Sequence, residues 1–160
     1  MTGKPFTTCL WFDTEGEEAA EFYTSIFKDS SIGAVSRYGE AGPRPAGTVM
    51  TVEFTLNGQK FVALNGGQEG FSFDESVSLM IEAADQAEVD YYWERLTDGG
   101  QESACGWLKD KFGFSWQVVP SAFYAMMRDP DPEKVNRVTA AMLTMKKLSV
   151  PDLERAYAGA

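Results

Sequence analysis

Asn57-Gly58, lying between Val49–Leu56 and Lys60–Leu64, constrains this chain more than any other feature. A two-residue type I′ turn needs positive φ at both central positions, and Asn-Gly meets that need at little steric cost. The run before it alternates, with Met50, Val52, Phe54 and Leu56 on one face and Thr51, Glu53 and Thr55 on the other. That period of two is the pattern of a half-buried strand. Closing the turn pairs Leu56 with Gln59, which sets Phe54 opposite Phe61 and Val52 opposite Ala63.

The sequence around this hairpin reads as strand and helix in a recurring order. Phe6–Phe12 is rich in aromatic and β-branched residues and reads as a strand. Thr14-Glu15-Gly16-Glu17 has the capping-box pattern, with Asp13 as an alternative cap. Ala19, Phe22, Tyr23, Ile26 and Phe27 then form one apolar helical stripe. Ile32–Tyr38 reads as a further strand, and the glycines and prolines of Gly39–Gly47 as a loop. The first module, about residues 5–66, is therefore strand, helix and three strands. The order recurs over about 75–120: a strand at Ser76–Ala83, an Asp85-x-x-Glu88 cap, and a stripe of Val89, Tyr92, Trp93 and Leu96 stopped by Gly99-Gly100. Short strands follow at Glu102–Cys105, Trp107–Lys109 and Ser115–Val119. A helical tail covers about 121–158, with Asp131-Pro132 as a cap followed by proline at the first helical position. Val135, Val138, Met142, Met145 and Leu148 form its stripe, which either covers the sheet or makes dimer contacts. The pattern indicates one α+β domain over residues 1–160 without fixing its topology.

Composition removes several functions. The net charge of −10 leaves no basic stripe for nucleic acid and disfavours anionic membrane surfaces. No apolar run approaches the roughly 20 residues of a membrane-spanning helix, and Met1–Thr8 lacks a signal pattern. Two cysteines, Cys9 and Cys105, are too few for a disulfide framework, so a cytoplasmic location is expected. The chain has no histidine at all. Ser-His-Asp and Cys-His catalysis are thereby excluded, and the commonest zinc ligand is missing.

Several stretches carry a family resemblance: Trp11-Phe12-Asp13 followed by Glu18-Ala19-Ala20-Glu21-Phe22-Tyr23, Arg37-Tyr38-Gly39-Glu40, Leu64-Asn65-Gly66-Gly67, Cys105-Gly106-Trp107-Leu108-Lys109-Asp110-Lys111-Phe112-Gly113, and Asp129-Pro130-Asp131-Pro132-Glu133-Lys134. The chain resembles the glyoxalase-like proteins of the vicinal-oxygen-chelate superfamily, and within them the PhnB-like branch often labelled 3-demethylubiquinone methyltransferase-like. The resemblance spans about Phe6–Leu148. It implies two tandem βαβββ modules in a mixed sheet curled around a cleft, with a homodimer as the usual assembly.

Alternation indicates which side faces that cleft. Phe6, Leu10 and Phe12 form the apolar face of the first strand, with Thr7, Cys9 and Trp11 opposite. Val77, Leu79 and Ile81 oppose Ser76, Ser78 and Met80, while Trp116 and Val118 oppose Ser115, Gln117 and Val119. An apolar face suits a covering helix, and a mixed polar and aromatic face suits a ligand. With Phe61, Ala63 and Asn65 placed on the mixed side, the candidate ligand residues are Thr7, Cys9, Trp11, Phe61, Asn65, Ser76, Ser78 and Gln117. The metal-ligand positions implied by the resemblance fall at Thr7 or Thr8, near Ala63, at Ser76 and at Gln117. Only Gln117 offers a donor, so no metal and no cofactor are expected. Nor does Gly66-Gly67 or Gly99-Gly100 form the strand-to-helix glycine turn of a nucleotide-type methyl donor site.

Other residues have two readings. Cys105 reads as a structural thiol or as a nucleophile activated by Lys109 or Lys111, and Cys9 reads similarly. Glu53 is a solvated strand residue or a buried base, and Trp11 and Trp107 are core or stacking platforms. The functional expectation is a metal-free cleft for a small organic ligand. The alternatives are a dimeric interaction module, a metal-dependent lyase, isomerase or dioxygenase, and the methyl transfer in the family label.

Overall fold

The Asn57-Gly58 turn closes with φ of 47° and 77° in a computed structural model that describes residues 6–160. The chain divides into two compact units, the first ending at Phe71 and the second running from Ser72 to Ala160. The first contains β1 (Thr8–Phe12), α1 (Gly16–Ile26), β2 (Ser31–Arg37), β3 (Val49–Leu56) and β4 (Gln59–Asn65). Its four strands form one mixed sheet in the order β1-β4-β3-β2. The hairpin register is the one the turn dictates: Leu56 opposite Gln59, Phe54 opposite Phe61, Val52 opposite Ala63.

Strand β1 lies parallel to β4, with Leu10 beside Ala63 and Phe12 beside Asn65. Paired residues share a face, so Leu10, Phe12, Val52, Phe54, Phe61, Ala63 and Asn65 all point to one side. Helix α1 packs on that side, and those seven residues are buried. Phe54 stacks on Phe61 at 5.3 Å and on Tyr23 of α1 at 6.2 Å. Phe61 and Asn65 are thus on the opposite face from Cys9 and Trp11, which corrects the expected common face. The hairpin turn fixes β3 against β4, but only the parallel pairing with β1 decides which β1 residues join them.

The second unit repeats the order: β5 (Ser78–Ala83), α2 (Gln86–Thr97), β6 (Gln101–Glu102), β7 (Trp107–Lys109) and β8 (Ser115–Pro120), followed by α3 (Ser121–Met127), α4 (Pro132–Met142) and α5 (Val150–Ala158). Its sheet order, β5-β8-β7-β6, matches that of the first unit position for position. Two βαβββ modules are therefore present, each with its own four-stranded mixed sheet. Helix α2 starts as its sequence predicts, with Asp85 accepting from Glu88 N at 2.9 Å. It packs on β5, β7 and β8, burying Val89, Trp93 and Leu96 with Leu108, Trp116 and Val118.

The helical tail packs into the second unit. Val119, Met126, Val138, Leu148 and Leu153 form one buried cluster, and Cys105 N and Gly106 N bond to the carbonyls of Met145 and Lys146 at 2.8 Å. Val138, Met142, Met145 and Leu148 of its stripe thus pack within their own unit, and α4 ends at Met142 with Leu143 exposed. Cys105 has φ of 59° in a turn, so the strand expected over Glu102–Cys105 is limited to Gln101–Glu102.

The tail is also tied by charge. Tyr157 of α5 donates its hydroxyl to Asp129, whose carboxylate also accepts from Asp131 N at 2.8 Å and faces Lys134 Nζ at 3.6 Å. The Tyr157 hydrogen bond, then the Asp131 N–H and the Lys134 charge, hold Asp129 below its ordinary value of 3.8. A depressed carboxyl stabilises the fold above its unfolded value, and that contribution disappears as pH falls through the folded value. The melting temperature of wild type should therefore exceed that of Asp129→Asn at about pH 6, and the difference should shrink steadily as the pH falls below the ordinary carboxyl range. A difference independent of pH would show that the carboxylate charge is not what ties the tail.

Candidate functional site

The side of the second sheet away from α2 carries a polar and aromatic surface whose rows follow from register. Ser78, Ser115, Lys109 and Gln101 are successive partners across all four strands. The next row is Met80, Gln117 and Trp107. Segment 72–77 overlies one end, where Ser115 is buried and its hydroxyl donates to Asp74 O at 3.3 Å. At the other end Val119 joins the tail cluster. Between these ends Ser78, Gln117, Trp107 and Lys109 are half-buried, and Met80 is 57% exposed.

A groove of ≈ 310 Å³ opens toward the β6–β7 side of this face, lined by Glu75, Ser103, Trp107, Lys109 and Ser115 among others, with Ser78, Met80 and Gln117 beside it rather than in its lining. Lys109 Nζ pairs with Glu75 Oε1 at 2.8 Å, and that hydrogen bond holds the Glu75 carboxyl below its ordinary value. Gln117 Nε2 donates to Ser78 Oγ at 2.9 Å, orienting the amide across the face. Glu102 also borders the groove, but it is in register with Leu108 and its carboxylate accepts from Trp93 Nε1 of α2 at 2.9 Å. The charged side chains of this face that line the groove are therefore Lys109 and Glu75, while Glu82, further along the same face of β5, accepts from Ser121 Oγ at 2.8 Å.

The eight residues singled out from sequence have different positions. Ser78 and Gln117 are bonded neighbours on this face. Ser76 precedes β5 rather than opening it, and its hydroxyl and backbone N–H both bond to the Asp74 carboxylate in a turn. In the first unit Cys9 is exposed on the side away from α1, beside Val62, and the partial desolvation of its thiol by the surrounding chain pushes it upward. Thr7 is exposed just before β1. Trp11 shares the Cys9 face but has a structural partner: its indole N–H donates to Gly67 O at 2.8 Å. Gly66 lies flat against the same ring, since a β-carbon there would sit 2.1 Å from Trp11 Cζ2.

Phe61 and Asn65 are beneath α1, and Asn65 performs a local task. Its Oδ1 accepts from Gly16 N at 2.7 Å and its Nδ2 donates to Val49 O at 3.2 Å. The N-cap residue of α1, Glu15, makes no side-chain capping bond. The expected capping box is thus replaced by an amide from a strand 49 residues away. Glu75, Lys109, Gln101 and Ser115 line the groove without being among the eight singled out from sequence. The alternation of Trp107 with Lys109 was a usable signal for one of them, whereas Glu75 lies in a connection with no periodicity.

Sequence comparison decides the family. The 3-demethylubiquinone-9 3-methyltransferase family matches residues 4–119. The chain belongs to that family. The PhnB protein from Bacillus cereus, which carries the same methyltransferase description, is 36% identical with a TM-score of 0.68, over 74% of this chain and 100% of its own. Protein PA1353 from Pseudomonas aeruginosa has 19% identity and a TM-score of 0.61, over 74% and 98% of the two chains. The fosfomycin resistance protein FosX from Listeria monocytogenes has 13% identity and a TM-score of 0.52, over 76% and 95%. These last two establish the shared glyoxalase-like fold alone. Among curated proteins none matches the sequence.

The metal chemistry of the superfamily does not fit this family member. Of the positions implied to hold it, Ala63 is a methyl group buried under α1. Ser76 is bonded to Asp74, and Gln117 to Ser78. Among the described residues no three His, Cys, Asp or Glu side chains come together in an arrangement that would hold a metal ion. An alcohol, a methyl group, a second alcohol and an amide are not a divalent-ion donor set. Nor is any helix among the described residues long and apolar enough to cross a membrane.

Proposed function

We propose that this family member is a small-molecule binding protein whose ligand seats on the open face of the second sheet without a resident metal. The observation carrying this reading is the row of exposed Met80 and half-buried Gln117 and Trp107 beside the row of Ser78, Ser115 and Lys109. It joins an apolar platform to convergent amide, hydroxyl and ammonium groups, the composition of a ligand site. Methyl transfer from a nucleotide-type donor gains no support from the strand-to-helix turns. These read Asp13-Thr14-Glu15 and Ala84-Asp85, with no glycine-rich phosphate cradle. A homodimer is a separate reading, favoured by the exposed Val77 and Met80 on and beside the edge strand β5. Two free thiols suit a reducing compartment, and the cytoplasm is the proposed location.

A thermal-shift screen against small organic compounds and divalent metals tests the binding reading. A ligand that binds only the native state raises the melting temperature by mass action. Organic compounds are expected to raise it in wild type, and the rise should be lost in a Trp107→Ala, Gln117→Leu double variant. A rise with divalent metal, unaffected by those substitutions, would contradict the proposal.

A further inference from the structure

We propose that the ligand is a planar organic anion, with its carboxylate or equivalent oxyanion on Lys109 Nζ and its flat body against Trp107; this rests on the second sheet being the binding surface. Lys109 and Trp107 are alternate residues of β7 and therefore project from the same face, both lining the groove. The lysine is held at the centre of its row, between Ser115 and Gln101, with 29% of its side chain exposed.

Its present partner is exchangeable. Glu75 comes from the connection before β5, and its side chain is 64% exposed. A pair whose carboxylate is this exposed is weakly held, because the Glu75 ion recovers its hydration when the two part. An incoming oxyanion can thus take the ammonium while the Glu75 carboxylate returns to water. The overall charge of −10 opposes anion approach, but such repulsion is screened beyond about 8 Å at physiological salt. Contact with the ammonium acts inside that range. Ser115 Oγ donates to Asp74 O, and the Gln117 amide is bonded to Ser78. The ammonium is therefore the group that distinguishes an anion from a neutral compound of equal shape. An indole face adds stacking for any planar ligand, whatever its charge.

Three probes of matched shape separate these contributions: benzoate, benzyl alcohol and benzylamine, titrated into 15N-labelled full-length protein while the Trp107 indole resonance is followed. A Trp107→Phe variant assigns that resonance. Benzoate should bind tightest, and Lys109→Gln should weaken it about tenfold or more, the scale of a hydrogen bond to a charged group. Benzyl alcohol should be nearly indifferent to that substitution. The proposal is overturned if benzylamine binds better than benzoate, or if Lys109→Gln leaves benzoate unchanged. In either case binding at Trp107 would persist and the binding surface would stand. If none of the three moves the Trp107 resonance at tens of millimolar, this inference and the binding surface both fail.

Discussion

Replacing Asp110 with alanine should destabilise the second unit by about 3–5 kcal/mol, one of the larger losses open to a single substitution. Asp110 is 2% exposed. One carboxylate oxygen accepts from Phe112 N at 2.9 Å and Phe114 N at 3.1 Å, and the other from Trp116 Nε1 at 2.7 Å. Its own N–H donates to Phe114 O at 3.0 Å, closing the loop between β7 and β8. Hydrogen bonds to a charged group contribute about 1.5–3 kcal/mol each, and a buried donor left unpaired costs its full desolvation. Three donors are left at once, with water entering the loop to recover part of the loss. Asp110→Asn keeps a single acceptor oxygen and should cost about half as much. Urea denaturation reads this as a lower midpoint at unchanged slope. A cost below about 1 kcal/mol would mean that solvent already satisfies these N–H groups. The substitution bears on the proposed ligand surface because β7 and β8 carry Trp107, Lys109 and Gln117.

Gly16 and Asn65 should behave as one unit in a double-mutant cycle. Asn65→Ala leaves the buried Gly16 N–H and Val49 carbonyl without their amide partner, for about 2–3 kcal/mol. Gly16→Ala reaches the same result from the other side, since its β-carbon would sit 2.6 Å from Asn65 Oδ1 and 3.1 Å from the Ala63 β-carbon. The amide must then withdraw and the bond breaks. With Asn65 already shortened the main clash is gone, and only the Ala63 contact still opposes the alanine. The double variant should therefore be more stable than the sum of the single effects by about 1–2 kcal/mol. Strict additivity would show that the glycine is not required by the amide. A loss confined to the first unit would also mark Asn65 as a structural residue rather than one that touches ligand.

Local chemistry was legible in the sequence, and long-range pairing was not. The Asn57-Gly58 turn sets its own register, so the Phe54–Phe61 pairing followed from six residues of chain. Asp85 and Asp131 each cap a helix through their own side chains, accepting from Glu88 N and Glu133 N. The start of α1 was misread because its amide partner lies on β4, beyond any local pattern. Ser76 alternates correctly with Ser78, yet the Asp74 carboxylate captures both its hydroxyl and its N–H and keeps it out of β5. Trp11 had the composition of a ligand platform, but Gly66 and Gly67 supply its contacts within the protein. On the second sheet, the shared face of Ser78 and Gln117 was legible because alternation alone assigns a strand face. Glu75 gives no such sign, and only the fold brings it to Lys109.

The most direct test of a metal-free ligand surface is crystallography of the protein soaked with the organic compounds that raise its melting temperature. The expected result is density for the compound over Trp107, with its polar atoms beside Lys109 or Gln117 and no metal ion in contact. Compounds bound elsewhere while Trp107, Lys109 and Gln117 stay bare, a divalent ion on this face, or a second copy of the chain covering it would contradict the proposal.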